Sequence, residues 1–160
     1  MTKTTATDEY WRTYRRWAGL GHDDYDVVAF GDSPEMADEL ADLVVNGPKR
    51  ATAGVLRDFQ QDGEAMPVVG GHVLVVDGRG RPRCIWRTTE VTVKPLIEVD
   101  ASFAWDEGEG DRTLPDWLDG HRRFFRRQAE RQGWQFNDRV ETVFERFEVV
   151  WPPEVANRRP

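Results

Sequence analysis

Cysteine is almost absent from this 160-residue chain, since Cys84 is the only one. A single thiol excludes an internal disulfide and a zinc site built from cysteines, and three scattered histidines argue against a histidine-rich metal site. No apolar run approaches the roughly 18–20 residues that span a bilayer, and the first eight residues lack the apolar stretch of a secretory signal. These absences predict a cytoplasmic protein with no membrane or disulfide partner, and they leave the oligomeric state open.

Several catalytic signatures are also missing. The chain has no Walker loop, no dinucleotide-binding glycine motif after a strand, no HExxH zinc motif and no GxSxG nucleophile elbow. The residues that are present must therefore point to a different kind of site.

Basic residues are outnumbered, and the formal net charge is −7. The imbalance is uneven: residues 1–111 carry 12 basic and 21 acidic side chains, whereas residues 112–160 carry 10 basic and 8 acidic ones. Proteins that coat nucleic acid usually need a surplus of Lys and Arg to neutralise phosphates. Contact with a polyanion is therefore expected only at a local patch, while a small uncharged substrate meets no such obstacle.

Hydrophobic periodicity and turn residues predict alternating helices and strands. An aromatic stripe at helical spacing predicts an N-terminal helix packed on the core through Tyr10, Trp11, Tyr14 and Trp17. Ser33-Pro34 begins a second helix that Asn46-Gly47 ends, Asp100 caps a short one, and a long helix runs from Thr113 to Gly133. Strands are predicted at residues 27–30, 51–59, 72–77, 83–93 and 140–151, with a tail from residue 152.

The Gly47-Pro48 break places Lys49 where a helix ends and a strand begins, three residues before Thr52. A lysine held in an apolar pocket can lose its proton near neutral pH and act as a base. The Thr52 hydroxyl can then serve as a nucleophile or a hydrogen-bonding group. The alternative interpretation is a solvated lysine that the end of the helix dipole favours.

Residues 106–111 alternate carboxylates with glycines. Glu107, Glu109 and Asp111 could supply oxygen ligands to a hard cation such as Mg²⁺ or Mn²⁺, or the segment could be a flexible, solvated acidic loop. A carboxylate facing Lys49 would instead form a catalytic pair, because it stabilises and orients the ammonium group.

The long C-terminal helix carries an arginine-rich side, formed by Arg122, Arg123, Arg126, Arg127 and Arg131. Arginine clusters bind phosphate through paired hydrogen bonds, although ion pairs with nearby carboxylates are the alternative. His121, at the start of this run, is either structural or an acid–base group. Trp86 and Trp105 are candidates for stacking on a base.

Several segments together resemble the ASCH-domain family, in its bacterial single-domain branch. The matching stretches are FGDS at 30–33, LVVNGPKRAT at 43–52, residues 67–76, CIWRTT at 84–89, FAWDEGEGD at 103–111, then Trp117, His121, Phe124-Phe125 and ERF at 145–147. The resemblance implies an α+β, PUA-like fold, a small mixed β-barrel flanked by helices. It also implies one domain over residues 1–160, with a core at about 9–151.

The resemblance implies an RNA-directed protein, first of all a metal-dependent ribonuclease or RNA-processing hydrolase. A shorter branch of the family deacetylates N4-acetylcytidine with a lysine, a threonine three residues later and a glutamate, which match Lys49, Thr52 and Glu107. A non-catalytic binder of RNA or nucleotides is the third possibility. The substrate-binding candidates are Arg50, Arg112, His121, Arg122, Arg126 and Trp86. No tightly bound cofactor is expected beyond Mg²⁺ or Mn²⁺, and the expected partner is RNA or a modified nucleoside.

Overall fold

The computed structural model describes residues 2–61 and 63–156. In chain order its helices are α1 (Thr5–Ala18), α2 (Pro34–Val45), α3 (Leu56–Gln61), α4 (Ala101–Glu107) and α5 (Leu114–Gln132). Its strands are β1 (Asp26–Val28), β2 (Ala51–Val55), β3 (His72–Val76), β4 (Pro82–Pro95) and β5 (Glu141–Trp151). A short 3₁₀ turn at Leu96–Glu98 links β4 to α4.

The strands form one mixed sheet in the order β1-β3-β4-β5-β2. Strand β1 runs parallel to β3, whereas the other neighbouring pairs are antiparallel. Register shifts occur in the β4–β5 pair at Ile85/Trp86 and at Thr88/Glu90, and irregularities of this kind bend a sheet. The sheet forms a half-barrel flanked by helices, which confirms the predicted α+β, PUA-like architecture.

Capping residues fix the helix boundaries that the sequence predicts. The Ser33 side chain accepts a hydrogen bond from the Met36 amide at the start of α2, and the Thr113 side chain does the same for the Asp116 amide at the start of α5. Gly133 ends α5 in the left-handed conformation. These caps satisfy backbone groups that a helix cannot satisfy itself, so the chain turns at the predicted points.

Two aromatic clusters position the helices on the sheet. In the first, Trp86 and Phe147 stack with ring centroids 3.9 Å apart. In the second, Phe103 of α4 meets Phe144 of β5 edge to face at 5.0 Å, and Trp117 of α5 lies against the same ring. The second cluster brings the end of α4 and the start of α5 to the β2 side of the sheet, where the candidate site lies.

Three local predictions are wrong. The strand predicted at 51–59 ends at Val55 and continues as helix α3, because β2 pairs with β5 only as far as Val55 and the Leu, Arg and Gln residues that follow favour helix. In α1 only Trp11 and Tyr14 of the aromatic stripe are buried, whereas Trp17 is exposed. The predicted tail packs on the core through buried Val155.

Among the described residues, no helix is both long enough and apolar enough to cross a membrane. Cys84 is a buried free thiol.

Candidate functional site

The site begins at the break between α2 and β2. Asn46 caps α2, Pro48 follows, and the Lys49 side chain turns inward with only 1% of its surface exposed. Gly108 ends α4 directly against this break with φ +70°, and a Cβ there would lie 2.8 Å from the Lys49 backbone nitrogen. The EGEG sequence thus lets the end of α4 approach the lysine closely, since only glycine fits the conformation and the space.

Lys49 faces two carboxylates. Its Nζ donates a hydrogen bond to Glu109 Oε2 at 2.8 Å and lies 3.7 Å from Glu107 Oε1. A third contact, 2.8 Å to the Ala51 carbonyl oxygen, holds the ammonium in place. Glu107 is as deeply buried as Lys49. The sequence-predicted lysine–carboxylate pair is therefore present, with Glu109 as the nearer partner.

Glu107 is held from the other side by α5. Trp117 Nε1 donates to Glu107 Oε2 at 2.7 Å, and His121 Nε2 lies 2.8 Å from Glu107 Oε1. His121 Nδ1 lies 2.9 Å from the Trp117 carbonyl oxygen, and the two rings stack at 3.7 Å. Because both ring nitrogens face oxygens that can only accept, both must donate, and His121 is the doubly protonated imidazolium.

The balance of burial and charge fixes the protonation of each group. Burial alone would lower the pKa of Lys49, but the Glu109 and Glu107 carboxylates outweigh burial and raise it. Burial would likewise lower the pKa of His121, and Glu107 raises it instead. Burial opposes ionisation of Glu107, yet the His121 and Lys49 cations hold its pKa well below the usual range. At neutral pH the cluster thus holds two cations and one firmly ionised carboxylate.

Glu109 is the member of the cluster that can exchange a proton near neutral pH. Burial, only partly offset by Lys49, raises the pKa of Glu109 to about 7, and the neighbouring Glu107 charge acts in the same direction. The proton belongs on Glu109 because Trp117 and His121 donate to Glu107 and stabilise its ionised form. A carboxyl group poised in this way suits general acid–base chemistry.

The charged cluster forms one wall of a pocket of about 310 Å³. Thr52 of β2 lines it together with Lys49, Glu107, Glu109 and His121. Its remaining walls are mainly apolar or arginine side chains: Phe30, Met36, Leu40, Phe124, Arg123 and Arg127. The three residues predicted to be catalytic therefore line a single cavity, and His121 joins them.

The predicted metal set is only partly brought together. Donor atoms of Glu107, Glu109 and His121 lie within 4.8 Å of one another, so His121 takes the place predicted for Asp111. However, the Lys49 ammonium holds the position that a cation would take, and His121 presents an N–H rather than a lone pair to Glu107. Mg²⁺ or Mn²⁺ would require displacement of the lysine and loss of a proton from the imidazolium, so the residues in this arrangement do not fit a divalent ion.

Asp111 and Arg112 have other partners. Asp111 Oδ1 accepts hydrogen bonds from the Thr113 amide at 2.8 Å and from its hydroxyl at 2.6 Å, which is a local device at the start of α5. The Arg112 guanidinium lies 3.6 Å from the ring centroid of Trp105, a candidate for stacking on a base, and it covers one face of that ring. Arg112 lines a separate cavity with Arg50. The predicted ligand and binding roles at 111 and 112 are not supported by these contacts.

The other predicted binding arginines also lie outside the pocket. Arg50 is buried and donates to the Lys49 and Val44 carbonyl oxygens at 2.6 and 3.0 Å, so it holds the end of α2. Arg122 forms two hydrogen bonds with Asp138, at 2.9 and 2.8 Å. Arg126 lies over the Phe136 ring at 5.2 Å. None of these three side chains lines the Lys49 pocket, although Arg122 and Arg126 lie on the arginine-rich helix.

Trp86 was predicted to stack on a base, but only 1% of its surface is exposed. Phe147 covers one ring face at 3.9 Å, and Phe30 lies near the ring at 5.8 Å. Its indole N–H donates to Glu145 Oε2 at 3.1 Å. Trp86 therefore supports a buried carboxylate instead of a base.

Sequence reasoning missed Trp117 as a member of the site, and it did not single out which arginines of the arginine-rich side reach the pocket. Trp117 holds Glu107, and the signal was its i,i+4 spacing to His121, which places both on one face of α5. Arg123 and Arg127 line the pocket rim through the same helical spacing. Arg123 is paired with Asp119, and Arg127 Nε lies 3.1 Å from Asp32 Oδ2.

Comparisons with known proteins agree with this architecture. The family model described as "ASCH domain" matches residues 26–151. The crystal structure of an ASCH domain from Lactobacillus crispatus JV V101 is 32% identical, with a TM-score of 0.77, and the match covers 90% of this chain and 91% of that one. The crystal structure of a protein from Enterococcus faecalis V583 is 36% identical, with a TM-score of 0.80, over 89% and 86% of the two chains. No curated protein matches this chain.

Proposed function

The chain belongs to the ASCH domain family, and we propose that it hydrolyses the amide bond of a small acylated nucleoside of the N4-acetylcytidine type. The observation that carries this proposal is the convergence of Lys49, Thr52, Glu107 and Glu109 on one pocket of about 310 Å³. A pocket of this size is at the lower end of small-molecule sites, so it suits the reacting part of a small substrate and not a polymer.

The surroundings of the pocket favour a small neutral substrate over an RNA strand. The rim arginines Arg123 and Arg127 already pair with the carboxylates of Asp119 and Asp32. A phosphate backbone would have to compete for those arginines on a protein whose net charge is −7. An uncharged nucleoside meets neither obstacle.

In the proposed reaction the Thr52 hydroxyl attacks the acyl carbon, and its proton passes to ionised Glu109. The Lys49 ammonium, which the carboxylates keep charged, stabilises the oxyanion that develops on the acyl oxygen. When the intermediate collapses, the C–N bond breaks and the leaving nitrogen takes the proton from Glu109. Water then attacks the Thr52 ester with Glu109 as base, releasing the carboxylic acid and restoring the hydroxyl.

This assignment differs from the sequence-based hypothesis in which Lys49 activates the Thr52 hydroxyl and Glu107 carries the proton. A lysine base would need a lowered pKa, whereas the pKa of Lys49 is raised, so the lysine acts as a cation. Glu107 has too low a pKa to carry a proton near neutrality and instead positions Lys49 and His121. Glu109, with a pKa of about 7, is the proton carrier.

A metal-dependent ribonuclease is the second candidate function. It is favoured by the closeness of the Glu107, Glu109 and His121 donor atoms, within 4.8 Å of one another. It requires that the Lys49 ammonium leave this position, as described above. The two hypotheses therefore differ in whether divalent cations are needed.

Product analysis by mass spectrometry tests the proposal. The wild type, Thr52→Val and the control Thr92→Val, an exposed threonine of β4, would each be incubated with N4-acetylcytidine in the presence of a metal chelator. The wild type and the control are expected to release cytidine and acetate, and Thr52→Val is not. Shortening of single-stranded RNA with Mn²⁺ while N4-acetylcytidine stays intact would establish the ribonuclease instead. Inactivity on both would overturn the enzymatic proposals and favour a binding module.

A further inference from the structure

A second cavity of about 370 Å³ lies on the other side of Thr52. The two cavities share a boundary formed by Phe30, Gly31, Thr52, Ala53 and Phe124. A substrate whose scissile bond lies at Thr52 would therefore extend into both cavities. The first holds the charged cluster, and the second is available to the rest of the molecule.

Glu145 is the residue that distinguishes the second cavity. It pairs directly with Thr52 across the antiparallel β2–β5 strands, so the two side chains lie on the same face of the sheet. Only 7% of Glu145 is exposed, although it lines the cavity. A carboxyl group buried to this extent needs hydrogen-bond partners, because unpaired burial is costly.

The partners of Glu145 leave one of its oxygens available. Trp86 Nε1 and the Thr88 hydroxyl both donate to Oε2, at 3.1 and 2.6 Å. Within the described residues no hydrogen bond reaches Oε1. Burial raises the pKa of Glu145, while the two donors act to lower it. The carboxyl group is thus fixed in orientation by two donors, with one acceptor oxygen left for a ligand.

The charge of the cavity restricts what that ligand can be. Its described lining contains four acidic residues, namely Asp26, Asp58, Glu64 and Glu145, and no lysine or arginine. Aromatic and aliphatic side chains form much of the remainder, including Phe59 and Val143. Such a cavity repels phosphate and suits a flat heterocycle that carries N–H donors.

We propose that the second cavity binds the heterocycle on the amine side of the scissile amide, and that Glu145 selects it by accepting a hydrogen bond from its exocyclic nitrogen. This inference rests on the proposed function, since it assigns the leaving group of that reaction to a specific compartment. The acyl group then lies beside Lys49, and the nitrogen released by hydrolysis lies between Thr52 and Glu145. Glu145 is a specificity residue in this scheme, and Trp86 is a positioning residue acting through it.

Glu145→Gln gives a directional test. Trp86 can only donate, so the amide oxygen must take the Oε2 position and the NH₂ group must take the Oε1 position. The substitution thereby converts the acceptor facing the cavity into a donor. Cytosine presents an N4–H₂ donor at the point where uracil presents an O4 acceptor. The preference between the two nucleosides should consequently invert.

Calorimetric titration with cytidine and with uridine at pH 8 measures this preference without any reaction. The control is Glu148→Gln, which changes a partly exposed glutamate of the same strand that pairs with Arg87. The wild type and this control are expected to bind cytidine about tenfold more tightly than uridine, the ratio that one hydrogen bond of about 1.4 kcal/mol gives. Glu145→Gln is expected to prefer uridine. Equal binding by the wild type, no binding of either nucleoside, or an unchanged preference in Glu145→Gln would overturn the inference.

The result is separable from that of the deacetylation assay. If N4-acetylcytidine is not hydrolysed but the preference inverts, the heterocycle site stands and the proposed reaction falls. If hydrolysis occurs but Glu145→Gln retains the wild-type preference, the reaction stands and this site assignment falls.

Discussion

Replacing Glu107 by Gln perturbs the buried charge cluster at its centre. Glu107 is 1% exposed, and its carboxylate contacts the His121 imidazolium at 2.8 Å and the Lys49 ammonium at 3.7 Å. Removing one partner of a buried pair costs about 3–5 kcal/mol, because an uncompensated charge stays behind. The glutamine oxygen can still accept from Trp117, but its NH₂ group then faces the His121 and Lys49 donors, so we expect the full loss of about 3–5 kcal/mol.

The pH dependence of this loss follows from two opposite pKa shifts. Glu107 has a lowered pKa, so its contribution is present above the unfolded value of about 4.3 and is lost as the pH falls through the folded pKa. His121 has a raised pKa, so its contribution is complete below the unfolded value of about 6.5 and is lost as the pH rises through the folded pKa. The difference between wild type and Glu107→Gln should therefore be largest near pH 5.5 and decrease toward alkaline pH.

Urea denaturation followed by tryptophan fluorescence measures the free energy of unfolding of both proteins at pH 5.5 and pH 9. Asp119→Asn is the matched control, since its carboxylate also pairs with a cation but both side chains are more than half exposed. Exposed pairs of this kind contribute about 0.5 kcal/mol. A loss below about 1 kcal/mol for Glu107→Gln at pH 5.5, or a loss that grows from pH 5.5 to pH 9, would refute the reasoning.

Three further outcomes test the site. Glu109→Gln should lower kcat for deacetylation about 100-fold, since an amide cannot accept the proton. In steady-state assays the wild-type kcat should rise through about pH 7 as Glu109 ionises. A variant with the same pH profile as the wild type would contradict this role. Gly108→Ala should lower the thermal midpoint far more than Gly133→Ala, because both have positive φ but only Gly108 would place a Cβ 2.8 Å from the lysine backbone. Arg122→Ala should have a kcat/KM within about twofold of the wild-type value. Raising NaCl from about 50 to 200 mM should leave the wild-type KM unchanged, whereas a KM that rises steeply with salt would indicate phosphate recognition.

Elements with local signals could be predicted from the sequence. Ser33-Pro34 and Thr113 mark helix starts by side-chain capping, and both helices begin there. The parallel pairing of β1 with β3 could not be predicted in this way, because Asp26 meets Val73 only through a long-range contact. The length of β2 was also misjudged, since its pairing with β5 ends at Val55 and the residues that follow form helix α3.

The candidate site also combines residues that could be predicted from the sequence with details that could not. Spacing and resemblance identified Lys49, Thr52 and Glu107, which line one pocket. They could not decide which of the alternating carboxylates turns toward the lysine. Gly108 and Gly110 both adopt positive φ, and this backbone path sends Glu109 inward while Asp111 stays outside to bond the start of α5. Which carboxylate faces Lys49 therefore depends on the backbone conformation of the whole 108–111 turn, which the residue types alone do not determine.

The protonation state of Lys49 has the largest consequence for mechanism. A lysine in an apolar pocket would be neutral and could act as a base, but here the pocket wall is made of carboxylates. Deprotonating Lys49 would leave Glu107 and Glu109 side by side with only His121 to balance them, and the two carboxylates therefore raise the pKa of Lys49. The group that titrates near neutrality must then be the carboxyl with the fewest donors, which is Glu109. The pH at which activity appears is therefore set by the pKa of Glu109. Lys49 stays positively charged throughout and stabilises the negative charge that develops on the acyl oxygen.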